Sequence, residues 1–254
     1  MDSNWGLEKG DTILIQSNII HTLLHHRCKV KDILDSFLEA VGSEGTLVFP
    51  TFSVGFAHGV PFDIRTTKSQ VGVLSEFARK YCASVRSGHP MESFVAIGKK
   101  AQEFNVNNFS GYGADSPFAI LRKMDGKIGI LGVPDSKGNS SYHHIEQMNG
   151  VTYRHLKEFT ELYTDWNGKT EKRTYELFVR DPKGKIRVHV DPCGELMFRE
   201  GIFKGNRWNE GNGFRVGRAQ RMYEFVSDII KTGRANGLLY KEVEDDGSES
   251  LRNN

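Results

Sequence analysis

No stretch of the sequence approaches the ~18 consecutive apolar residues that a bilayer-spanning helix needs, and no apolar leader follows Met1. The expected location is therefore the cytoplasm, with no membrane partner. Cysteine is scarce. The three that occur, Cys28, Cys82 and Cys193, are widely spaced, odd in number and without a Cys-x-x-Cys pair. That pattern argues against a disulfide framework or a structural zinc site and suits a reducing compartment. A charge bias is missing as well. With 34 Lys and Arg against 32 Asp and Glu, the formal charge of +2 is too small to suggest a nucleic-acid partner. There is no internal repeat and no linker-like stretch.

What is present is enough apolar material, 38% of 254 residues, for one large α/β domain. A Gly10-Asp11 turn leads into a short apolar strand over 12–16. Residues 31–41 carry Ile33, Leu34, Phe37, Leu38 and Val41 at helical spacing. A strand over 46–49, a helix over 72–80, and strands over 83–86 and 128–133 follow. This alternation predicts a layered α/β/α domain with a mainly parallel central sheet. After about Thr160 the pattern changes, and 171–180 and 184–190 read as an antiparallel pair joined at Asp181-Pro182-Lys183-Gly184. A last helix is expected over 220–232. The expectation is one domain over 1–240 with a β-rich C-terminal elaboration, then an acidic tail over 241–254.

The stretch GVPDSKGNSSYHHIE, residues 132–146, lies just past a buried strand. Ligands of open α/β sheets bind beyond the carboxyl ends of strands. Asn139, Ser140 and Ser141 suit a helix N-terminus. On that helix His143 and Glu146, three apart, share a face, while His144 points elsewhere. A glutamate beside an imidazole fixes its tautomer and stabilises the imidazolium, so the pair reads as a general base with its orienter. By spacing alone, a capped surface helix with a packed histidine fits equally well. A metal pair of His143 and Glu146 fits less well, because zinc sites declare more ligands. His21, His25 and Cys28 fall at helical spacings that mimic a metal face, although free surface histidines are far commoner. Cys82 and Cys193 are candidate thiol nucleophiles, but neither sits in an activating motif, and free cysteine is usually a small core residue.

The pattern Gly132-Val133…Asn139-Ser140-Ser141-Tyr142-His143-x-x-Glu146 resembles the central motif of the aminoglycoside 3-N-acetyltransferase family. Further blocks resemble it in the same order. These are Gly10-Asp11-Thr12, Gly45-Thr46-Leu47-Val48-x-Pro50-Thr51-Phe52 and Arg86-Ser87-x-His89-Pro90-x-x-Ser93-x-x-Ala96-x-Gly98. Tyr112-Gly113-x-x-Ser116-Pro117 and Arg215-Val216-Gly217-x-Ala219 complete them. The resemblance spans about residues 10–231. It implies an N-acyltransferase with acetyl-CoA as cosubstrate, an amino-sugar acceptor and no metal. His143 would deprotonate the acceptor amine, Glu146 would hold His143, and Ser140 would help stabilise an oxyanion. Ser17, Asn18, Arg86, Ser87, Ser93 and Arg215 would serve the cofactor, and His89 and Asn139 the substrate. At Gln16-Ser17-Asn18 the chain departs from the His-Ser-Ser that the family commonly carries.

The segment 198–221 departs further. It holds Arg199, Lys204, Arg207, Arg215, Arg218 and Arg221 against Glu200 and Glu210. A basic loop favours an anionic partner, so Lys204 and Arg207 are expected to bind an anionic, nucleotide-linked amino sugar for a surface polysaccharide. The alternatives are a true aminoglycoside 3-N-acetyltransferase conferring antibiotic resistance, a metal-dependent hydrolase using His143, Glu146 and the His21/His25 pair, and a silent CoA- or sugar-binding protein. The sequence leaves a homo-oligomer open.

Overall fold

The computed structural model describes residues 6–243, apart from the side chains of His21, His25 and His26. Its centre is set by strands buried on both faces. In β1 (Thr12–Ser17), Ile13 and Ile15 enter one core while Leu14 enters the other. In β2 (Thr46–Pro50), Leu47 and Phe49 part from Val48 in the same way. A strand with no solvent face reads as a continuous apolar run, as these two do.

The remaining strands are β3 (Phe62–Asp63), β4 (Val85–Arg86), β5 (Phe94–Gly98), β6 (Lys127–Leu131), β7 (His155–Thr164), β8 (Thr170–Val179), β9 (Ile186–Val188), β10 (Phe203–Gly205), β11 (Phe214–Arg218) and β12 (Tyr240–Glu242). The helices are α1 (Ile20–His26), α2 (Val30–Val41), α3 (Val73–Tyr81), α4 (Pro117–Lys123), α5 (Asp135–Gly138), α6 (Ser141–Met148), α7 (Asp191–Arg199) and α8 (Ala219–Lys231). A seven-stranded sheet in the order β10-β11-β6-β1-β2-β5-β4 divides the molecule. Its centre, β6-β1-β2, is parallel, and the flanking pairings are antiparallel, so five of the seven strands run the same way. Apolar residues of α2 and α3 pack on one face of the sheet, and those of α4, α6, α7 and α8 on the other. The result is the expected α/β/α layering.

The C-terminal half differs from expectation. The partner of β8 is β7, not 184–190. The two pair in register from His155↔Val179 to Thr164↔Thr170. Their turn holds Asn167-Gly168, with Gly168 at φ +82°, and Asp165 Oδ1 accepts from the amides of Asn167 and Lys169 at 2.9 Å each. Asn-Gly between strands is the stronger hairpin signal, and the Pro-Lys-Gly site drew the reading away from it. With β3 this hairpin forms a second sheet over a small core of its own, including Phe62, Tyr163 and Tyr175. The residues 186–188 pair instead with β12, so the ordered chain runs through Glu242 rather than ending at 240. Most of the expected acidic tail, 244–254, lies outside the described residues.

Gly98 marks where β5 meets the start of β2. It has φ +119°, and a Cβ there would stand 2.2 Å from the Gly45 carbonyl oxygen and 2.9 Å from Thr46 Cα. Both neighbours are backbone, so neither can swing aside. Gly98→Ala should cost about 2–4 kcal/mol through clash and a disfavoured dihedral. A chemical-denaturation midpoint within error of wild type would contradict this packing.

Candidate active site

The carboxyl ends of β1, β2 and β6 open into a cleft of about 710 Å³. Ser17, Asn18 and Ile20 enter it from the end of β1 and the start of α1, Pro50 and Phe52 from the end of β2, and Val133 and Asp135 to Ser140 from the segment after β6. Val71, Gly72, Val73, Val188 and Val190 line it as well. The wall thus combines branched aliphatic side chains with polar groups supplied by the end of β1 and by the 135–143 segment.

His143 reaches this cleft from the first turn of α6. Its Nδ1 lies 3.1 Å from Glu146 Oε2, one helical turn on. Glu146 is 1% exposed. Burial pushes its pKa up, but the bond from His143, the charge of Arg154 and the Tyr153 hydroxyl outweigh that and hold it below the ordinary carboxylate range. An ionised carboxylate only accepts, so Nδ1 carries the hydrogen and Nε2 the lone pair. Burial lowers the His143 pKa below the usual 6.5, with Glu146 pulling up and Arg154 pushing down. The imidazole is neutral at physiological pH, as a base must be. His144, next in sequence, faces away: its Nδ1 is 2.8 Å from the Tyr112 carbonyl oxygen, and burial brings its pKa down to about 4. The ring of Tyr112 meets His143 edge to face at 5.3 Å.

The start of α6 is held from β1. Gln16, 3% exposed, accepts from the Ser140 amide at 3.0 Å and from its hydroxyl at 2.5 Å through Oε1. Its Nε2 donates to Asn139 Oδ1 at 3.4 Å. Ser140 therefore stands at the N-cap without capping, its hydroxyl proton being spent on Gln16. Asn139 donates in turn to Asp135 Oδ1 at 2.9 Å, and Arg215 donates to Asp135 Oδ2 at 2.8 Å and to the Val133 carbonyl at 3.1 Å.

A profile described as aminoglycoside 3-N-acetyltransferase matches residues 21–230. The chain belongs to the aminoglycoside 3-N-acetyltransferase family. Aminoglycoside N(3)-acetyltransferase III of Pseudomonas aeruginosa is 28% identical over 147 residues, which is 50% of this chain and 54% of that protein. The chain spans about half the length of the curated relatives it matches. A solved structure described as AAC-IIIb in binary complex with CoASH superposes at a TM-score of 0.73 with 22% identity, covering 90% of this chain and 92% of that one. The crystal structure of the aminoglycoside acetyltransferase AAC(3)-Xa does so at 0.74 with 22% identity, over 89% and 88%. At that identity these two speak for the fold alone.

Several residues of the family-like blocks lie outside the cleft of this aminoglycoside 3-N-acetyltransferase family member, against expectation. Arg86 is 2% exposed. Its guanidinium donates to the Ile64 and Thr67 carbonyls at 2.9 and 2.8 Å and to Ser93 Oγ at 3.2 Å, and lies over the Phe62 ring. Ser87 Oγ accepts from the Phe94 amide, and Ser93 Oγ donates to the Thr51 carbonyl. His89 is fully buried: Nδ1 accepts from the Glu92 amide, Nε2 faces the Glu176 carbonyl, and burial takes its pKa down to about 4. These four tie the 86–93 segment to its neighbours, and none of them lines the cleft. Arg215 likewise serves Asp135. Lys204 lies on edge strand β10, beside a separate hollow of about 490 Å³ with Lys127, Arg218 and Arg221. Arg207 stacks on Phe198 and donates to Glu195 at 2.9 Å through both Nε and Nη2. Glu195 stands just before the basic segment, so a tally begun at 198 missed the anion that answers it.

The expected residues that the fold does bring together are Ser17, Asn18, Asn139, Ser140, His143 and Glu146. Gln16, Asp135, Tyr112, Tyr153 and Arg154 were missed. Gln16 could have been found, because a polar residue ending a buried apolar strand calls for a partner. No group of three or more His, Cys, Asp or Glu capable of holding a metal occurs among the described residues, and the His21/His25 pair lies outside the described side chains. No helix among the described residues is long and apolar enough to cross a membrane. Arg86→Met should lower stability by about 2–4 kcal/mol, since it strands buried carbonyls. It should leave KM for acetyl-CoA unchanged in the protein that still folds. A severalfold rise in that KM at native stability would restore Arg86 to the cofactor site.

Proposed function

We propose that the protein is an acetyl-CoA-dependent N-acetyltransferase that acylates an amine of an amino sugar, the aminoglycosides being the acceptor class its relatives point to. The observation that carries this reading is the His143–Glu146 pair opening on a cleft beyond the parallel strands. An ammonium cannot attack a thioester until it gives up a proton. His143 takes that proton on Nε2, the ring nitrogen with a lone pair, and the imidazolium then lies against the buried Glu146 carboxylate. Acetyl-CoA, when bound, supplies the thioester carbonyl that the amine attacks. The aliphatic wall of Ile20, Val71, Val73 and Val188 suits its pantetheine arm. Ser17, Asn18 and Ser140 offer hydrogen bonds, and Lys137 a cation. Ser140 can donate to an oxyanion only by releasing Gln16, so its contribution is secondary to that of His143.

Direct transfer in a ternary complex follows from the state of the thiols. Cys193 is fully buried, with burial pushing its thiol up to about 12, and burial also raises the thiol of the exposed Cys82. In each case burial outweighs the neighbour that favours a thiolate, Lys31 for Cys82 and the Tyr142 hydroxyl for Cys193.

One observation favours a second acceptor class, an amino sugar that is not a polycation, such as a nucleotide-linked one. Asp135 is the one carboxylate among the residues lining the cleft, and Arg215 already takes it. A polycation would bring several ammonium groups that need anionic partners. Lys204 and Arg207 no longer support this reading. Free-CoA release measured across aminoglycosides and amino-sugar nucleotides separates the two classes, and no release with any amine would reject the acetyltransferase itself.

His143→Ala should lower kcat by about 10²–10⁴-fold, the range for losing a general base. Glu146→Gln should cost less, and His144→Ala should leave kcat of the folded enzyme nearly unchanged. Because the His143 pKa is lowered, the acidic limb of kcat/KM should fall below pH 6.5, with activity lost as pH drops through it. A limb at or above 7, or a sensitive His144 beside an indifferent His143, would refute the assignment. Replacing Cys28 and Cys82 by Ser and Cys193 by Ala should leave turnover largely intact; a thiol-bound acetyl group formed at the rate of turnover would show that transfer is not direct.

A further inference from the structure

We infer that Tyr153 and Arg154 are positioning residues for the base: they hold Glu146 in the state that keeps the hydrogen on Nδ1 of His143. The inference rests on His143 acting as the base. Both carboxylate oxygens of Glu146 are engaged. Oε1 accepts from the Tyr153 hydroxyl at 2.9 Å, while Oε2 faces His143 Nδ1 at 3.1 Å and Arg154 Nε at 2.7 Å. The Arg154 side chain is 7% exposed and that of Glu146 2%, so the ion pair is desolvated.

A carboxylate buried alone takes up a proton. A protonated Glu146 could donate to Nδ1, and the ring would then carry its hydrogen on Nε2, where no proton could be accepted from an amine. Arg154 blocks that tautomer because its charge is permanent. The same charge repels an imidazolium and helps keep His143 below its ordinary pKa.

Both residues come from the turn between α6 and β7 and are themselves held. Arg154 Nη1 donates to the Phe178 carbonyl on β8 at 3.4 Å, and Tyr153 packs on Tyr240 of β12 at 4.4 Å between ring centroids. The other titratable groups around the pair are Tyr112, which faces His143, and the buried Glu92 near Tyr112. Arg180 stands near Arg154, and His144 turns away. Arg154 is the permanent charge in contact with Glu146. Removing it leaves the buried pair one positive neighbour poorer. The Glu146–His143 pair then binds its first proton at higher pH, whichever of the two receives it.

The test is nitrogen-15 NMR of the histidine rings in the full chain, with His143 assigned by the signal lost in His143→Asn. It reads tautomer and titration midpoint with or without turnover, so it stands apart from the search for an acceptor. Wild type should show hydrogen on Nδ1 and a midpoint below 6.5. Arg154→Met should raise the midpoint by about one unit, tenfold in proton affinity, and the acidic limb of kcat/KM should move with it. Arg154→Lys should keep the midpoint near wild type, and Tyr153→Phe should move it the same way as Arg154→Met by less. A wild-type hydrogen on Nε2 would overturn the proposal. So would an unmoved midpoint in Tyr153→Phe and in Arg154→Met, each with a native melting curve. Should Arg154→Met not fold, Tyr153→Phe and Arg154→Lys decide by themselves, an unmoved Tyr153→Phe or a raised Arg154→Lys midpoint counting against it.

Discussion

The site depends on one carboxylate that water cannot reach. Glu146 lies on the inner side of α6, and burying its charge is costly unless hydrogen bonds and an opposite charge compensate. Three neighbours do so here, a histidine on the same helix and a tyrosine and an arginine from the turn that follows. Because the demand is set by the desolvated charge, the surrounding architecture is constrained too. The turn must return to α6, the β7–β8 hairpin must pin that turn, and Tyr112 must approach from the other side.

Much of this was legible in the chain. The doubly buried strands announced themselves as apolar runs, and α2, α3 and α8 as helical periodicities closed by glycine or a polar break. The His-x-x-Glu spacing put two functional groups on one face of a short helix, and the fold places them in contact. The direction of β11, whose residues include Arg215, was not legible, since antiparallel addition to a parallel sheet leaves no local signature. Nor was the pairing of β7 with β8, where two turn signals competed and the weaker was followed.

The misplaced residues share a physical reason. Arg86, Ser87, His89 and Ser93 are polar residues in a family-like block, and polarity in a motif suggests contact with a ligand. Here their partners are mostly backbone carbonyls and amides, those of Thr51, Ile64, Thr67, Glu92, Phe94 and Glu176, several of them in the irregular stretches between β2 and β5. Buried loops need side chains to satisfy their main chain, and sequence alone does not tell a side chain that serves the backbone from one that serves a ligand. Arg207 illustrates the complementary error, because a count of charge along the chain overlooks the anion that lies across a turn.

The bond between Gln16 and Ser140 joins residues 124 positions apart. It can form only when β1 and β6 lie side by side, and parallel strands meet only after the whole intervening crossover has been closed, a slow step in chain collapse. The alignment of α6 over the cleft therefore requires that β1 and β6 already lie side by side. Without those paired strands His143 and Glu146 would share a short helix with no cleft beneath them. The seating of the His143–Glu146 pair over the cleft in this architecture reports completion of the central sheet, not the formation of its local elements.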